Sequence, residues 1–374
     1  MKDKQKILFI FGPGRKTKLD ENSFKAREFF YGFHYFTKSY KTEIIEVFKG
    51  SENKKGIRKL LHFFDRVIVK LTNFRSSTIE LITINNIRRY KLFDSTIFTS
   101  DALFLSFLPI ALIYKILRRK NKNYIITMGL FGKKSSNILE SIFSSLYIRL
   151  ILIGGDKFIF LGYGEYQFAL SKFPKQLKKF EYLPFCVDIG FWSKTDNKEK
   201  EYEILFVGND GKRDFELLKK IIQENSKLNF IVITNHDLKI DFENVEIVKG
   251  NWSEQLISDE KLREYYSKSR LTIIPLKNSY QPSGQSVGLQ SLACKTPILI
   301  SETDGFWDTK KFINDFDINF VSSEDSNVWS DRINHILSDK KNMEISNTQS
   351  KLFNKQYDIE IFNLGLEKII LSND

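Results

Sequence analysis

Residues 281–300 read QPSGQSVGLQSLACKTPILI, and they indicate the fold more clearly than any other part of the chain. The small residues Ser283, Gly284 and Ser286 precede a helical pattern, and the apolar run 297–300 is typical of a buried strand. Unpaired N–H groups at a helix start attract anions, and small side chains let a ligand approach them. The segment therefore predicts an anion site, with a capped helix that binds nothing as the alternative.

Short apolar strands alternate with helical patterns on both sides of this segment. In the second half we expect strands at 204–207, 230–234, 246–248, 271–275, 297–300 and 319–321. In the first half we expect strands at 7–11, 42–48, 96–99, 124–127 and 157–161, and helices over 23–36 and 51–87. This alternation predicts an α/β fold with two facing doubly wound, Rossmann-like domains. The carboxyl ends of their strands would enclose a ligand cleft.

The charge is unevenly distributed along the chain. The 374 residues include 58 Lys and Arg and 46 Asp and Glu, a net charge of +12. Residues 1–190 hold 34 basic and 16 acidic residues (34 − 16 = +18), and residues 191–374 hold 24 and 30 (24 − 30 = −6). The basic half is expected to face a lipid surface, a diphosphate-linked substrate or nucleic acid. The alternative is a Lys-rich composition without a functional meaning.

The composition also excludes several kinds of protein. Cys186 and Cys294 are too few for a disulfide framework, and the four histidines have no ligand-like spacing. The apolar stretch 102–117 contains a proline and a lysine and is too short to span a membrane. It predicts a buried core helix or, because residues 118–120 are basic, an interfacial one. The basic amphipathic run 51–75 favours the same membrane-facing role.

Four segments follow one another in a characteristic order. They are LPFCVDIGFW at 183–192, FVGNDGKRD at 206–214, the helix and strand at 262–276, and SGQS followed by LQSLACKTP within 283–297. Together they resemble the GT-B-type glycosyltransferases, specifically the retaining family 4 group, and the first half resembles them more loosely. The resemblance implies an acceptor-side domain at 1–186, a nucleotide-sugar domain at 187–350, and a C-terminal helix within 351–374 that packs on the first domain.

The resemblance implies that the second domain holds a nucleotide-diphospho-sugar. Arg213 falls where the family has a Lys that binds the diphosphate, and a guanidinium can bind two phosphate oxygens at once. Asn209 falls where the family usually has an Arg, so Lys212 is the expected supplement. The alternative for Arg213 is a surface salt bridge with Asp210 or Asp214.

The family's two donor-site carboxylates are replaced here by Pro282 and Gln290. Gln290 is expected to hydrogen-bond the ribose, because an amide both donates and accepts. The donor sugar is then expected to bind Ser283, Gln285 or backbone groups. The predicted catalytic residues are Arg213 and Gln285. The predicted donor-binding residues are Gly208, Asn209, Lys212, Asn251, Trp252, Ser283, Gly284, Ser286 and Gln290. Trp252 is expected to stack on the base, with a core Trp as the alternative.

The acceptor side is expected at the ends of first-domain strands. Gly12 and Gly14 allow close backbone approach, and Arg15 is positioned to bind an acceptor phosphate; the alternative is an ordinary turn. Glu165 is a candidate for contacts with sugar hydroxyls. Met128 stands where the family often has a His, so the leaving diphosphate is expected to accept the acceptor's proton.

The expected function is transfer of a sugar from a nucleotide-diphospho-sugar to a glycan or lipid-linked acceptor in cell-surface polysaccharide biosynthesis, such as that of lipopolysaccharide. Retention, independence of metals and the absence of any cofactor besides the donor are expected from the resemblance; Asp315 and Asp317 are interpreted as a solvated loop. The expected location is cytoplasmic, with the inner face of the membrane as a further option. The alternatives are a non-catalytic nucleotide- or glycan-binding protein and a nucleic-acid binder, although no nucleic-acid motif is present.

Overall fold

The computed structural model describes residues 5–20, 25–47, 57–133, 135–193, 199–250, 256–306, 319–338 and 356–372. Within them the chain forms two six-stranded sheets in which every strand pair is parallel. The strands of the first sheet are β1 Lys6–Phe11, β2 Lys41–Glu46, β3 Ser95–Phe98, β4 Lys122–Thr127, β5 Lys157–Phe160 and β6 Phe180–Tyr182. Those of the second are β7 Tyr202–Val207, β8 Phe230–Ile233, β9 Val245–Val248, β10 Ser269–Ile274, β11 Ile298–Ser301 and β12 Asn319–Val321.

Helices connect the strands in both halves. In the first half they are α1 Arg15–Asp20, α2 Phe33–Phe36, α3 Ile57–Thr72, α4 Thr78–Leu81, α5 Ile84–Lys91, α6 Asp101–Ile116, α7 Ile138–Gly154 and α8 Tyr163–Lys172. They are followed by α9 Ile189–Trp192, α10 Phe215–Glu224, α11 Asp259–Lys268, α12 Gln285–Ala293, α13 Ser326–Ser338 and α14 Ile359–Leu371. Two 3₁₀ turns lie at Glu28–Phe30 and Pro174–Lys179. The predicted α/β fold is confirmed.

The strand order places a crevice in each sheet. The second sheet runs β9-β8-β7-β10-β11-β12, so its order reverses between β7 and β10. The first runs β2-β1-β3-β4-β5-β6 and reverses between β1 and β3. Ligands of open α/β sheets bind at the carboxyl ends of the strands beside such a reversal. The loops after β1, β3, β7 and β10 are therefore the first places to look for a site.

Two predicted helices are interrupted in the structure. The segment 23–36 was expected to be one helix, but its described part holds a 3₁₀ turn and the four-residue α2. Tyr31 (φ 47°) and Gly32 (φ 83°) lie in the left-handed region and break the helical path. The segment 51–87 is divided among α3, α4 and α5, because non-helical residues 73–77 and 82–83 intervene.

The two halves share a hydrophobic core. One cluster of buried side chains includes Phe9 of β1, Phe185 of the connecting segment, Trp192 of α9, Leu289 of α12 and Phe362 of α14. Separate clusters fill the outer side of each sheet. Because the shared cluster joins the halves through apolar contact, their docking removes a large hydrophobic surface from water.

Helix α14 contacts the first half of the chain. The Tyr124 hydroxyl donates to the Ile370 carbonyl (3.0 Å), and the Tyr35 and Tyr40 hydroxyls both donate to the Glu367 carboxylate (2.6 Å each). The boundary predicted at 350 lies outside the described residues, and the boundary at 186 stays a prediction. No helix among the described residues has the length and apolar character that crossing a membrane requires.

Candidate functional site

The order reversal of the second sheet holds a partly buried ionic cluster. Arg213 follows β7, and its Nη1 donates to the Ser283 hydroxyl (2.9 Å) and lies 3.3 Å from Asp210 Oδ2. The Ser283 hydroxyl also contacts both Asp210 carboxylate oxygens, at 2.8 and 2.9 Å. These three residues tie the loop after β7 to the segment that begins α12.

The guanidinium of Arg213 lies inside the protein. Arg213 is 3% exposed and pairs with Asp210, the partner named in the predicted alternative, so that salt bridge is present, with its guanidinium buried and its carboxylate partly exposed. Burial lowers the pKa of Arg213 and the Asp210 carboxylate partly offsets this. Two glycines make room for it: a Cβ at Gly208 would overlap Arg213 Nε, and one at Gly284 would lie 3.3 Å from Nη1.

Helix α12 begins where the sequence predicted a helix start. Gly284 precedes it at φ 81°, a left-handed conformation that favours glycine. Ser283 and Gly284 are buried and Ser286 is half-buried. The first turn of α12 therefore points its N–H groups toward the cluster of Arg213, Asp210 and Ser283, which makes this end of the sheet suitable for an anion.

The two glutamines of α12 bind the first half of the chain. Gln285 Nε2 donates to the Leu161 carbonyl at the end of β5 (2.9 Å). Gln290 Nε2 donates to Glu28 Oε1 (2.9 Å), and its Oε1 accepts from the Tyr266 hydroxyl (3.3 Å). Both side chains are 4% exposed. The structure therefore places neither amide at an open ligand surface: the expected ribose contact of Gln290 and the expected sugar contact of Gln285 are replaced here by contacts between the halves.

Glu28 is a buried carboxyl group that the sequence did not identify. Its Oε1 accepts from Trp192 Nε1 (2.8 Å) as well as from Gln290, and its Oε2 accepts from the Asp188 backbone N–H (3.3 Å). Burial raises its pKa to about 7, against the lowering effect of these donors. The adjacent Arg27 binds the Asp188 carboxylate through Nε (2.6 Å) and Nη2 (3.2 Å).

Glycines allow the two halves to approach closely. A Cβ at Gly162 would lie 2.9 Å from Pro282 Cβ, and a Cβ at Gly164 would overlap the Asp304 carbonyl. A Cβ at Gly132 would overlap Tyr280, whose ring packs on Phe168 with centroids 4.5 Å apart. The segment before α12 therefore lies directly against the carboxyl edge of the first sheet.

Glu165 has a different place from the one predicted. It is fully buried, and its two carboxylate oxygens accept from the Gly129 N–H (2.7 Å) and the Phe131 N–H (3.0 Å). Burial raises its pKa to about 8, although these N–H groups act in the opposite direction. The expected contact with sugar hydroxyls is thus wrong for this structure, because Glu165 holds the loop after β4 instead.

Arg15 also turns inward. Its Nε donates to the Phe29 carbonyl (2.9 Å) and its guanidinium lies over the Phe11 ring, 5.5 Å from the centroid. The N–H groups of Arg15 and Lys16 both donate to Glu46 Oε1, at 2.6 and 2.8 Å. The predicted acceptor phosphate at Arg15 is therefore not supported, because Glu46 already occupies the position of an anion.

Gly12 and Gly14 lie where the predicted turn places them. Gly14 has φ 90°, so the loop after β1 needs its conformational freedom. A Cβ at Gly12 would lie 3.4 Å from Arg15 Nη1, an ordinary contact. These positions match the ordinary strand-to-helix turn that the sequence left open as an alternative.

Asn209 and Lys212 complete the loop after β7. Asn209 Nδ2 donates to the Gly250 carbonyl (2.6 Å) and its Oδ1 accepts from the Thr234 hydroxyl (3.1 Å), so its amide joins the ends of β7, β8 and β9. The half-buried Lys212 lies near enough to Lys133 of the first half to lower the pKa of that amine, although burial is the main cause of the shift. Lys212, next to Arg213 in the chain, thus lies beside the Arg213 cluster, whereas Lys133 Nζ donates to the Asn73 carbonyl and lies 4.8 Å from the centroid of the Phe74 ring.

A groove of about 1270 Å³ lies in the first half, between β2 and α3. Lys16 and Glu46 form the end of the groove nearest the loop after β1. Its basic lining residues are Lys16, His62, Arg66, Lys70 and Arg89. Glu46, Asp65 and Glu80 also line it, so the groove combines charges of both signs with the apolar side chains of α3, such as Phe63 and Val67.

Some predicted residues cannot be located. Asn251, Trp252, Asp315 and Asp317 lie outside the described residues. Among the residues that are described, no group of three or more His, Cys, Asp or Glu side chains is placed to hold a metal ion. The sequence analysis missed three functional candidates: Glu28, Asp188 and Lys133. For Glu28 the only signal was a charged residue inside an apolar pattern, between Ala26 and Phe29.

The fold is similar to that of several solved glycosyltransferases. A glycosyltransferase from Rickettsia africae ESF-5 is 13% identical, with 100% of both chains covered and a TM-score of 0.64. Anabaena HepE, solved in complex with UDP-glucose, is 10% identical over 98% of this chain and 99% of that one (TM-score 0.62). The lipopolysaccharide outer core galactosyltransferase WaaB is 12% identical over 99% and 100% (TM-score 0.59).

No protein-family model and no curated protein sequence matches the chain. The structural likeness spans the whole chain, including both sheets and the returning C-terminal helix. The family 4 assignment stays a prediction. The chain therefore has the two-domain, Rossmann-like fold of the GT-B-type glycosyltransferases.

Proposed function

We propose that this protein is a glycosyltransferase that moves a sugar from a nucleotide-diphospho-sugar to a glycan or lipid-linked acceptor. The observation that carries the proposal is the cluster of the buried Arg213 and Ser283 with the half-buried Asp210 at the start of α12, at the order reversal of the second sheet. A fixed guanidinium beside a helix N-terminus is suited to a diphosphate. UDP-glucose in the HepE complex supports the donor class.

The donor diphosphate would replace contacts that the cluster now makes internally. The described hydrogen bonds of Arg213 use Nε and Nη1, so Nη2 is the nitrogen that we assign to a phosphate oxygen. The first-turn N–H groups of α12 would bind a second oxygen. Lys212 would supply the further charge that an Arg at position 209 gives the family.

Retention fits a mechanism in which the protein mainly positions and stabilises charge. As the bond between the sugar and the diphosphate breaks, Arg213 stabilises the charge on the leaving oxygen. The leaving diphosphate accepts the acceptor's proton, so no histidine at position 128 is required. Neither a metal ion nor another cofactor takes part in this proposal, and the donor is a substrate.

The acceptor would bind in the basic first half. The groove between β2 and α3 is lined by four Lys and Arg side chains, three carboxylates and apolar side chains, and we assign the acceptor to it because of its size and its mixed polar and apolar lining. WaaB, named as a lipopolysaccharide galactosyltransferase, supports an acceptor of the cell surface. A lipid-linked acceptor lies in a membrane, so we propose that the enzyme works at a membrane surface on the cytoplasmic side.

Ligand-induced thermal shifts test the donor site. UDP, GDP, ADP, CMP and their sugars are each added to the wild type, Arg213→Lys and Arg213→Ala. A ligand at 100 times its Kd stabilises by about 2.7 kcal/mol, which should raise Tm by several degrees. We expect one nucleotide to shift the wild type and Arg213→Ala to lose the shift. Arg270→Ala, in the second half away from the cluster, is the control and should keep it.

A second function is favoured by one observation. Gln285 and Gln290, where the sequence predicted sugar and ribose contacts, are buried and bind the first half instead. A non-catalytic nucleotide- or glycan-binding protein would show this. A thermal shift without release of nucleoside diphosphate, across acceptors that include lipid-linked glycans, would favour binding alone; the absence of any shift would contradict the donor site.

A further inference from the structure

Helix α7 is apolar on its outer face as well as on its inner face. Ile148, Ile151 and Leu152 are buried against the first sheet. The large apolar side chains that face away from it are Ile138, Leu139, Ile142, Leu146, Leu150 and Ile153. At 3.6 residues per turn these six lie within an arc of about 120°, so they form one continuous stripe along the helix.

The stripe is strongly exposed, as are the apolar side chains Leu60, Phe63 and Phe64 (54–62%) of the neighbouring helix α3. Ile138 is 79% exposed, Leu139 68% and Leu146 51%. Helix α10, which covers the second sheet, buries its apolar residues and turns Glu216, Lys220 and other polar residues outward. A helix that is apolar all round is normally covered by protein or lipid, and a large exposed apolar patch marks an interaction surface.

The apolar surface continues onto the end of α6. A Cβ at Gly154 would lie 2.8 Å from a Leu108 methyl group, which places the end of α7 beside the middle of α6. Lys115, in the last turn of α6, pairs with Asp156 just after α7 (2.5 Å). Ile113 (48% exposed), Ile116 (79%) and Leu117 (58%) extend outward there. We call the outer stripe of α7 and this end of α6 the apolar face.

Basic residues border the apolar face. Arg149 lies within the stripe of α7 and is exposed, and the exposed residues 118–120 (Arg-Arg-Lys) follow the end of α6. On the other side, Lys179 Nζ donates to the Leu152 (2.5 Å) and Gly155 (2.8 Å) carbonyls. This contact places the 3₁₀ turn that carries the exposed Lys175 and Lys178 beside the end of α7.

We propose that the apolar face docks onto the surface of an anionic lipid bilayer. The apolar stripe would enter the acyl boundary, and the surrounding cations would bind the headgroups. A second copy of the chain fits less well, because it would bring two basic surfaces of the same +18 half together. The inference rests on the proposed function only in naming a membrane as the partner; the observations that carry it lie outside the donor site.

The apolar face is connected to the cleft. Helix α7 follows the loop 129–133 after β4, and Gly132 in that loop lies against Tyr280 before α12. A bilayer against α7 would therefore begin close to the place where the two halves meet. A lipid-linked acceptor would have a short path from the bilayer to the donor.

Vesicle cosedimentation tests the proposal. The full chain is mixed with phosphatidylglycerol–phosphatidylcholine vesicles and with pure phosphatidylcholine vesicles, at low and high salt. We expect the wild type to bind the anionic vesicles and to lose affinity in high salt. The double variant Leu146→Gln/Leu150→Gln should weaken binding on the order of tenfold or more, because it removes apolar burial. Val328→Gln on α13, also an exposed apolar residue (39%), is the matched control.

Three results would contradict the proposal that the apolar face binds a bilayer. Absence of anionic-vesicle binding at low salt, or equal binding by the double variant, would overturn it. A dimer in analytical ultracentrifugation that the double variant abolishes would assign the face to self-association instead. Circular dichroism checks that the variants fold. If the double variant does not fold, Arg149→Gln replaces it in the test, and this variant should lower only the affinity for anionic vesicles. If the protein binds vesicles but no nucleotide raises its Tm, the membrane inference stands and the proposed donor site is contradicted.

Discussion

Replacing Glu28 with Gln should change how stability depends on pH. Trp192 Nε1 and Gln290 Nε2 both donate to the same oxygen, Oε1 (2.8 and 2.9 Å), so a neutral amide can keep both hydrogen bonds and loses only the longer one from the Asp188 N–H to Oε2 (3.3 Å), a loss that does not depend on pH. Burial is the largest cause of the raised pKa of Glu28, about 7 instead of 4.5. The charged carboxylate is therefore the form that the folded protein disfavours.

The direction in which stability changes with pH follows from proton binding by Glu28. A carboxyl group with a higher pKa in the folded state binds its proton more tightly there, so its stabilising contribution is complete below pH 4.5 and is lost as the pH rises through about 7. A pKa that is higher by about 2.5 in the folded state corresponds to about 3 kcal/mol of unfolding free energy. Relative to the wild type, Glu28→Gln should therefore gain about 3 kcal/mol of stability between pH 4.5 and pH 8.

Urea unfolding of both proteins at pH 4.5, 6, 7 and 8 measures this gain. Glu165 and Asp101 also have raised pKa values, about 8 and about 6, so the wild type alone does not isolate Glu28. Both groups are present in Glu28→Gln, and the difference between the two proteins removes their contribution. A difference in unfolding free energy that is the same at every pH would refute the reasoning.

Three further variants probe the cleft. Gly164→Ala should lower Tm and increase protease cleavage, because the new Cβ would overlap the Asp304 carbonyl and force the halves apart; unchanged values would contradict this. Gly208→Ala should abolish the nucleotide-induced thermal shift by displacing Arg213, whereas Gly211→Ala in the same loop, with no atom within 4 Å of its Cβ, should retain it. Arg213→Lys should lower kcat on the order of 10²-fold while the protein still folds, since a Lys keeps the charge but loses the planar fork; a wild-type kcat would exclude Arg213 from the reaction.

Local patterns were sufficient to predict the secondary structure of most of the chain. The predicted strands all appear among the described residues within three residues of their predicted ends, and helix α14 has the predicted bounds Ile359–Leu371. Short apolar runs between turn residues specify buried parallel strands because both faces of such strands are covered. The predicted helix over 23–36 was wrong because the left-handed Tyr31 cannot be anticipated from its side chain.

The sequence by itself determined the two α/β halves, the position of α12 and the location of Arg213 after β7, because each depends on hydrophobic periodicity and on neighbouring residues. Only the tertiary structure decided what the polar side chains contact. Gln290 binds Glu28 from 262 positions away, and Glu165 binds a loop 34 to 36 residues before it. Such partners depend on how the two sheets dock, and docking is a property of the whole hydrophobic core rather than of any local pattern.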